Sequence, residues 1–244
     1  MKKQLFLILF LIPISGGILA QMPHLAHSLA QYGLKGKVQS ITERTGECVI
    51  KFGEYQFANN EHSFNIFTFN SGGKLTTHKE YYTDGSLKTY EKFSYKSNLI
   101  ISTRYNSDGT EANSIEYIYP PKSSSHTQYT YYNNGMVKTE MHMSDFGVIF
   151  EKRTYNSNGQ MIERKKYKEP EVADDVFSYQ FDSNGNLQSM SRTRTGGLIA
   201  GILTYQYLKY DSWGNWIIRV EFQQNSEFGE KKLTRLTTRM IEYY

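Results

Sequence analysis

Along most of this chain apolar and polar residues alternate with a period of two, and glycine-bearing polar clusters interrupt the alternation. Leu87, Thr89, Glu91, Phe93 and Tyr95 line one side of such a stretch, with Lys88, Tyr90, Lys92 and Ser94 on the other. Met161, Glu163, Lys165 and Tyr167 alternate in the same way with Ile162, Arg164 and Lys166. Period two with tyrosine, threonine, phenylalanine and isoleucine prominent predicts pleated strands. Both sides carry charge in mid-strand. That favours a single-layer or shell-like sheet, wet on at least one side, over a dry two-sheet sandwich.

The interruptions repeat. An aromatic residue stands four places before a glycine in Phe69–Gly73, Tyr81–Gly85, Tyr105–Gly109, Tyr131–Gly135, Tyr155–Gly159, Phe181–Gly185 and Tyr210–Gly214. Two places past the glycine an apolar residue returns as Leu75, Leu87, Val137, Met161, Leu187 and Trp216, with Glu111 the exception. Asp-Gly and Asn-Gly pairs supply the positive φ angles of hairpin turns, and the aromatic and the returning apolar residue are placed to pair across the turn. From Gly85 the steps to Gly109, Gly135, Gly159, Gly185 and Gly214 are 24, 26, 24, 26 and 29 residues. A weaker set of breaks falls between them at Gly73, Ser97-Asn98, Pro120-Pro121, Asp145-Phe146-Gly147, Glu169-Pro170, Gly196-Gly197 and Phe228-Gly229. Two interleaved turn series of one period predict an all-β chain, an elongated antiparallel meander with one series along each sheet edge. Helix is expected only over Pro23–Tyr32, where Leu25, Leu29 and Tyr32 share a face and Gly33 ends it.

The first twenty residues read as an address. Lys2 and Lys3 precede the apolar run 5–12, Pro13 and Ser15-Gly16-Gly17 break it, and Ala20 offers a cleavage point. The run is too short to cross a bilayer, so 1–20 is expected to be a secretory signal, 21–33 a short helix and linker, and 34–244 the repeat domain. The chain is not expected to span a membrane after signal removal. Net charge is +4, and the loss of Lys2 and Lys3 leaves +2, which does not indicate a nucleic-acid binder.

Candidate chemistry is sparse. The one cysteine, Cys48, lies in a probable strand and is read as a core residue. His24 and His27 stand three apart, but no carboxylate or cysteine near them completes a metal site. Asp182, Asn184 and Asn186 imitate the start of a calcium loop, yet Thr193 stands where its glutamate belongs. The acids sit in turns or beside lysines, as in Glu163-Arg164-Lys165-Lys166, which reads as cross-strand ion pairing rather than a glycosidase pair. No enzyme, metal or cofactor is therefore expected. The apolar, glycine-rich stretch 196–203 is read as a buried strand entry.

Aromatic-Asp-x-x-Gly-Asn is the heart of the YD, or Rhs-type, repeat. Tyr210-Asp211-Ser212-Trp213-Gly214-Asn215 and Phe181-Asp182-Ser183-Asn184-Gly185-Asn186 resemble it closely, and the other copies are drifted. Over 34–244 the chain looks like a small secreted Rhs-like protein of Bacteroidota, and its Tyr-Tyr-x-Asn-Gly copy is also similar to MORN-type hairpin repeats. The resemblance implies a binding or scaffolding module. Large Rhs proteins form toxin shells, but this sequence holds no Asp-Pro-x-Gly signature, and a toxin-cage role is not expected.

The resulting expectation is an exported, non-enzymatic β-repeat protein of the cell envelope, in the periplasm, on the surface or outside the cell. Its partner is expected to be a glycan or an envelope protein. Tyr210, Trp213 and Trp216, in the copy closest to consensus, are the candidate binding aromatics. Gly73, Gly85, Gly109, Gly135, Gly147, Gly159, Gly185 and Gly214 are expected to serve the turns alone. A carbohydrate-active enzyme on the same scaffold is the alternative. Charges on both sides of Leu87–Tyr95 and Met161–Tyr167 argue against a membrane barrel, whose strands need one apolar side.

Overall fold

The computed structural model of the chain describes residues 29–97, 99–118, 122–170 and 172–244. The segment read as a signal, the histidines at 24 and 27, and the first part of the expected helix lie outside these residues. Of that helix, Leu29–Tyr32 is described, and it is a single 3-10 turn rather than an α-helix.

Fifteen strands form one antiparallel sheet. They are β1 (Val38–Lys51), β2 (Glu54–Phe69), β3 (Leu75–Tyr81), β4 (Leu87–Lys96) and β5 (Leu99–Tyr105). There follow β6 (Glu111–Ile118), β7 (Thr127–Tyr131), β8 (Val137–Met143), β9 (Ile149–Tyr155) and β10 (Met161–Glu169). The last are β11 (Val172–Phe181), β12 (Leu187–Arg194), β13 (Ile199–Tyr210), β14 (Trp216–Gln224) and β15 (Lys232–Tyr243).

The turns explain most of this. In each repeat the predicted aromatic does pair with the returning residue: Phe69 with Leu75, Tyr81 with Leu87, Tyr131 with Val137, Tyr155 with Met161, Phe181 with Leu187 and Tyr210 with Trp216. The glycine N–H donates back to the residue three before it, as from Gly185 to the Asp182 carbonyl at 3.0 Å. Gly185 has φ 83° and Gly159 has φ 79°. This is the three-residue hairpin loop closed by a left-handed glycine and a bulge. Asn and Asp before the glycine do not take positive φ themselves; among the described non-glycine residues only Phe52 and Ser97 do. The acid's task is different. Asp182 Oδ1 accepts from the N–H groups of Asn184 and Asn186, and Asp84 Oδ1 accepts from Ser86 in a copy that lacks the first acid.

Gly159→Val and Gly185→Val should each cost roughly 1–3 kcal/mol, because a β-branched residue resists the left-handed region. Thermal melting tests this. Two variants that melt with the parent would remove the hairpin account.

The bulge corrects the reading of the strand faces. Met161 pairs with Tyr155, but the next pair is Glu163 with Thr154, so one residue is skipped. Met161 and Glu163 therefore point to opposite sides, although strict alternation puts them together.

Strand order keeps the antiparallel meander, since all consecutive strands but β6 and β7 are neighbours, and adds one closure between β1 and β15. The sheet runs β6-β5-β4-β3-β2-β1-β15-β14-β13-β12-β11-β10-β9-β8-β7, so the first and last strands pair in its middle and β6 and β7 are its two edges. Antiparallel pairing throughout makes β6 and β7 run in the same direction. The strong turn series consequently changes rim between the two halves, rather than keeping to one. We call the rim where β1 begins and β15 ends the terminal rim. Gly135, Gly159, Gly185 and Gly214 lie there, whereas Gly85 and Gly109 lie toward the opposite rim.

Sequence connectivity also curls the sheet. Laid flat, the β6 and β7 edges would stand about 67 Å apart at ~4.8 Å per strand spacing. Only residues 119–126 join Ile118 to Thr127, a reach of at most ~32 Å. The two edges must approach one another, yet they are not hydrogen-bonded neighbours. The result is a rolled, open sheet.

Candidate functional site

Cross-strand partners point to the same side of a sheet, so the registers define its faces. One face runs from Arg104 through Glu91, His78, Phe67 and Ile41 to Ile241. On the other half it carries Arg219 and Tyr207, Glu221 and Tyr205, Leu203 and Met190, then Phe177, Arg164, Arg153 and Glu140. We call this the core face. Three of the four apolar clusters lie on it, around Phe67 and Phe69, around Tyr155 and Met161, and around Met190 and Leu203. The fourth, around Val220, Leu236 and Cys48, is on the reverse.

The cations of the core face are mostly arginines, although Lys166 lies there too, opposite Glu151 and Asp175, and Arg44 is on the reverse. Arg104, Arg153, Arg164, Arg192, Arg219, Arg235 and Arg239 share it, while Lys79, Lys92, Lys152 and Lys165 are on the reverse. A planar guanidinium forks onto carboxylates and stacks on rings, which suits it to this half-buried layer, whereas an ammonium keeps its water. The carboxylates are taken up by these arginines. Arg239 Nε lies 2.8 Å from Glu43, Arg164 2.7 Å from Glu151, and Arg192 2.7 Å from Asp175. Glu140, with no exposed side-chain surface, holds Arg153 at 3.3 Å, the Tyr155 hydroxyl at 2.9 Å and His142 at 2.8 Å. Burial by itself would raise the Glu43 carboxyl, but Arg239 and Arg219 hold it below the usual range. Arg164 and Arg153 do the same for Glu151 against its burial. Acids of this kind are anchors already committed to partners, not poised proton donors.

The candidate aromatics belong to the terminal rim, and the structure separates them. Trp216 is buried at 6% exposure and lies against Tyr207. Arg239 stands 3.4 Å from the centre of its ring and Arg219 4.7 Å, so its faces are occupied by the chain's own cations. Tyr210 is half exposed. Trp213 keeps 55% of its surface, with its ring stacked on Tyr243 at 5.8 Å. A side chain at Gly36 would meet Trp213 at 2.9 Å, so glycine there is what lets the indole fold back.

The consensus copy is therefore a latch. The Asn215 side chain, 2% exposed, accepts from the Lys35 N–H at 2.7 Å and donates to the Lys35 carbonyl and the Tyr243 hydroxyl. The Tyr243 hydroxyl in turn donates to Asp211, and burial with that bond pushes the phenol up to about 12. The segment leading into β1, the end of β15 and the β13–β14 turn are tied together at one place.

The remaining candidates are structural in their contacts. Cys48 is buried at 5%, and burial pushes its thiol up, away from nucleophilic behaviour. Asp182 spends both carboxylate oxygens on Asn184 and Asn186 within its own turn. Among the described residues no group of three or more His, Cys, Asp or Glu side chains is placed to hold a metal. No described helix is long and apolar enough to cross a membrane. The stretch 196–203, expected to be buried, instead presents Leu198 at 73% exposure on the β12–β13 turn. Sequence reading missed the arginine-rich layer of the core face. It also missed Phe52-Gly53 as a turn.

No family model and no curated protein matches the chain. Among solved structures, a porin-like protein from Bacteroides uniformis is similar at 14% identity and a TM-score of 0.48, over 84% of this chain and 96% of that one. A putative outer membrane lipoprotein-sorting protein domain from Vibrio parahaemolyticus is similar at 10% identity and TM-score 0.32, over 87% and 89%. A TcdB2-TccC3-Cdc42 structure is similar at 14% identity and TM-score 0.28, over 82% of this chain and 10% of that one. All three scores lie below 0.5, too low to transfer a fold or a function.

Proposed function

We propose that the chain is an exported, non-enzymatic repeat module of the YD/Rhs type that binds or scaffolds at the bacterial cell envelope. The observation that carries this reading is the commitment of the core-face carboxylates to arginine partners, as in Glu43–Arg239, Glu151–Arg164 and Asp175–Arg192. Ionisable groups serve the sheet, and recognition is left to surface aromatics. Export rests on the leader-like 1–20 segment.

A glycan or an envelope protein is the partner class that suits such a surface. Trp213 offers the best-placed ring, since it is held by Tyr243 on one side and half open on the other. A ring already ordered loses little freedom on stacking against a sugar or a peptide. Titrating residues 21–244 with envelope glycans and envelope fractions, followed by tryptophan fluorescence, tests the reading. Trp213→Ala is expected to weaken any ligand roughly tenfold or more, as an interface anchor does. A ligand that ignores both tryptophans would leave the array as a pure scaffold.

A further inference from the structure

One stretch of the rim opposite the termini, from the β1–β2 turn to the β8–β9 turn, holds turns that break a rule kept elsewhere, including at Gly85 and Gly109 farther along the same rim. In the hairpin loops the residue just before the closing glycine is normally polar and hydrogen-bonded: Asp84, Asp108 and Asn134 accept from the N–H groups of Ser86, Thr110 and Met136. In two other turns of the opposite rim that slot holds Phe146, before Gly147, and Phe228, before Gly229. Each gives up the bond, and neither gains cover, for Phe146 is 93% exposed and Phe228 95%. Phe52 goes further. It sits at φ 56° in the β1–β2 turn, where a bulky side chain is strained, and it is 102% exposed. Leu198, 73% exposed, tips the β12–β13 turn. Trp213 occupies the same slot on the terminal rim and does find cover, on Tyr243. Fold stability accounts for Trp213. It does not account for the three phenylalanines.

These tips share one edge. The turns β1–β2, β14–β15, β12–β13, β10–β11 and β8–β9 follow one another along the sheet, and four of the five present Phe52, Phe228, Leu198 and Phe146. The β1–β2 hairpin also runs on past Phe64, the level at which β3 ends with Tyr81, so the Asp84-Gly85 turn stands back from the row. Neighbouring turns are two strand spacings apart, about 10 Å.

From this we infer that the opposite rim is a lipid-contacting edge, whose four apolar tips dip into the boundary between headgroups and acyl chains of a bilayer. A protein partner would need separate pockets matched to side chains that stand singly on separate hairpins, whereas fluid hydrocarbon accepts any spacing. The chemistry of the row favours a neutral surface. Within three residues of the tips stand Lys51 and Lys231 against Glu54, Asp145, Glu227 and Glu230, so no basic patch draws the rim to anionic lipid. This inference does not depend on Trp213, which lies on the other rim, and either can fail alone.

Vesicle flotation with phosphatidylcholine tests it, using protein that begins at Gln21 so that the apolar 5–12 run does not bind lipid itself; the described fold lies wholly within 29–244. Binding is expected, unchanged between 0.1 M and 0.5 M salt as order-of-magnitude conditions that screen surface charge. F52S/F146S/F228S should weaken it by at least ~10-fold, since each buried phenylalanine is worth about a decade of partitioning. Phe146→Trp should show a blue-shifted emission that brominated acyl chains quench. Because the three rings pack against nothing, the triple variant should fold, and Phe52→Asn should raise the melting temperature, since asparagine tolerates the left-handed region. Failure of the parent to float, binding confined to phosphatidylglycerol and abolished by salt, or equal flotation of the triple variant would overturn the inference. So would a parent that ignores vesicles but self-associates in sedimentation while the triple variant does not, which would make the rim a contact between copies.

Discussion

Glu43→Gln is expected to destabilise the protein by about 3–5 kcal/mol, the cost of leaving a buried charge without its partner. Glu43 and Arg239 retain 12% and 7% of their side-chain exposure and face each other across the β1–β15 pair, which joins the first and last strands. Arg219 stands close enough to act on both: it lowers the Glu43 carboxyl and opposes the charge on Arg239. Glutamine keeps the shape and removes the charge, so two guanidinium groups are left facing one another over Trp216. The double replacement Glu43→Leu/Arg239→Met should lose less than the single one, because it leaves no orphan at that pair. Urea unfolding at constant slope measures this, and a Glu43→Gln loss under ~1 kcal/mol would show the pair to be merely superficial. The same carboxylate sets a pH dependence. Its folded pKa lies below the ordinary value of 4.5, so its contribution is present above that pH and is lost as the pH falls through the folded value. Acid sensitivity of Glu43→Gln should be correspondingly shallower than that of the parent.

Trp216→Ala is expected to cost a further class of stability, about 3–5 kcal/mol, as for other large-to-small changes of a buried aromatic. The indole fills space against Tyr207 and is the ring on which both Arg219 and Arg239 stack. Its loss would create a cavity and uncover two cations at once. Trp216→Phe keeps a ring face for the guanidinium groups and should retain more than half of the difference. Equal melting of the alanine variant and the parent would mean that the stack adds nothing. The corresponding change at Trp213, half exposed and stacked on one side only, should disturb stability far less than it disturbs ligand binding.

Much of the architecture was legible because it is enforced locally. A left-handed backbone position can be filled comfortably by glycine, so Gly159 and Gly185 announce turns wherever they stand. The aromatic before each turn and the apolar residue after it, such as Tyr155 and Met161, are neighbours in the strand pair by the geometry of the hairpin alone. The candidate site was less legible. Trp213 and Trp216 look alike in sequence, three residues apart in one turn. Only their surroundings distinguish a half-open ring on Tyr243 from a ring clamped between two arginines.

The sequence by itself determined the hairpins: their positions, their paired side chains and the all-β class, since each depends on residues a few places apart. Tertiary structure decided what those hairpins add up to. Which strands meet in the middle of the sheet depends on contacts between residues some two hundred positions apart, as for Glu43 and Arg239, and no local propensity encodes them. The bulge after each aromatic-to-glycine turn reverses the face of every later residue in the strand, so alternation could not reveal that most of the arginines share one side. The rolling of the sheet follows from a short link between its two edges, a constraint visible only once those edges are known. Strand order also sets alternate turns along one rim, and so brings Phe52, Phe146, Leu198 and Phe228, scattered through the sequence, into one row.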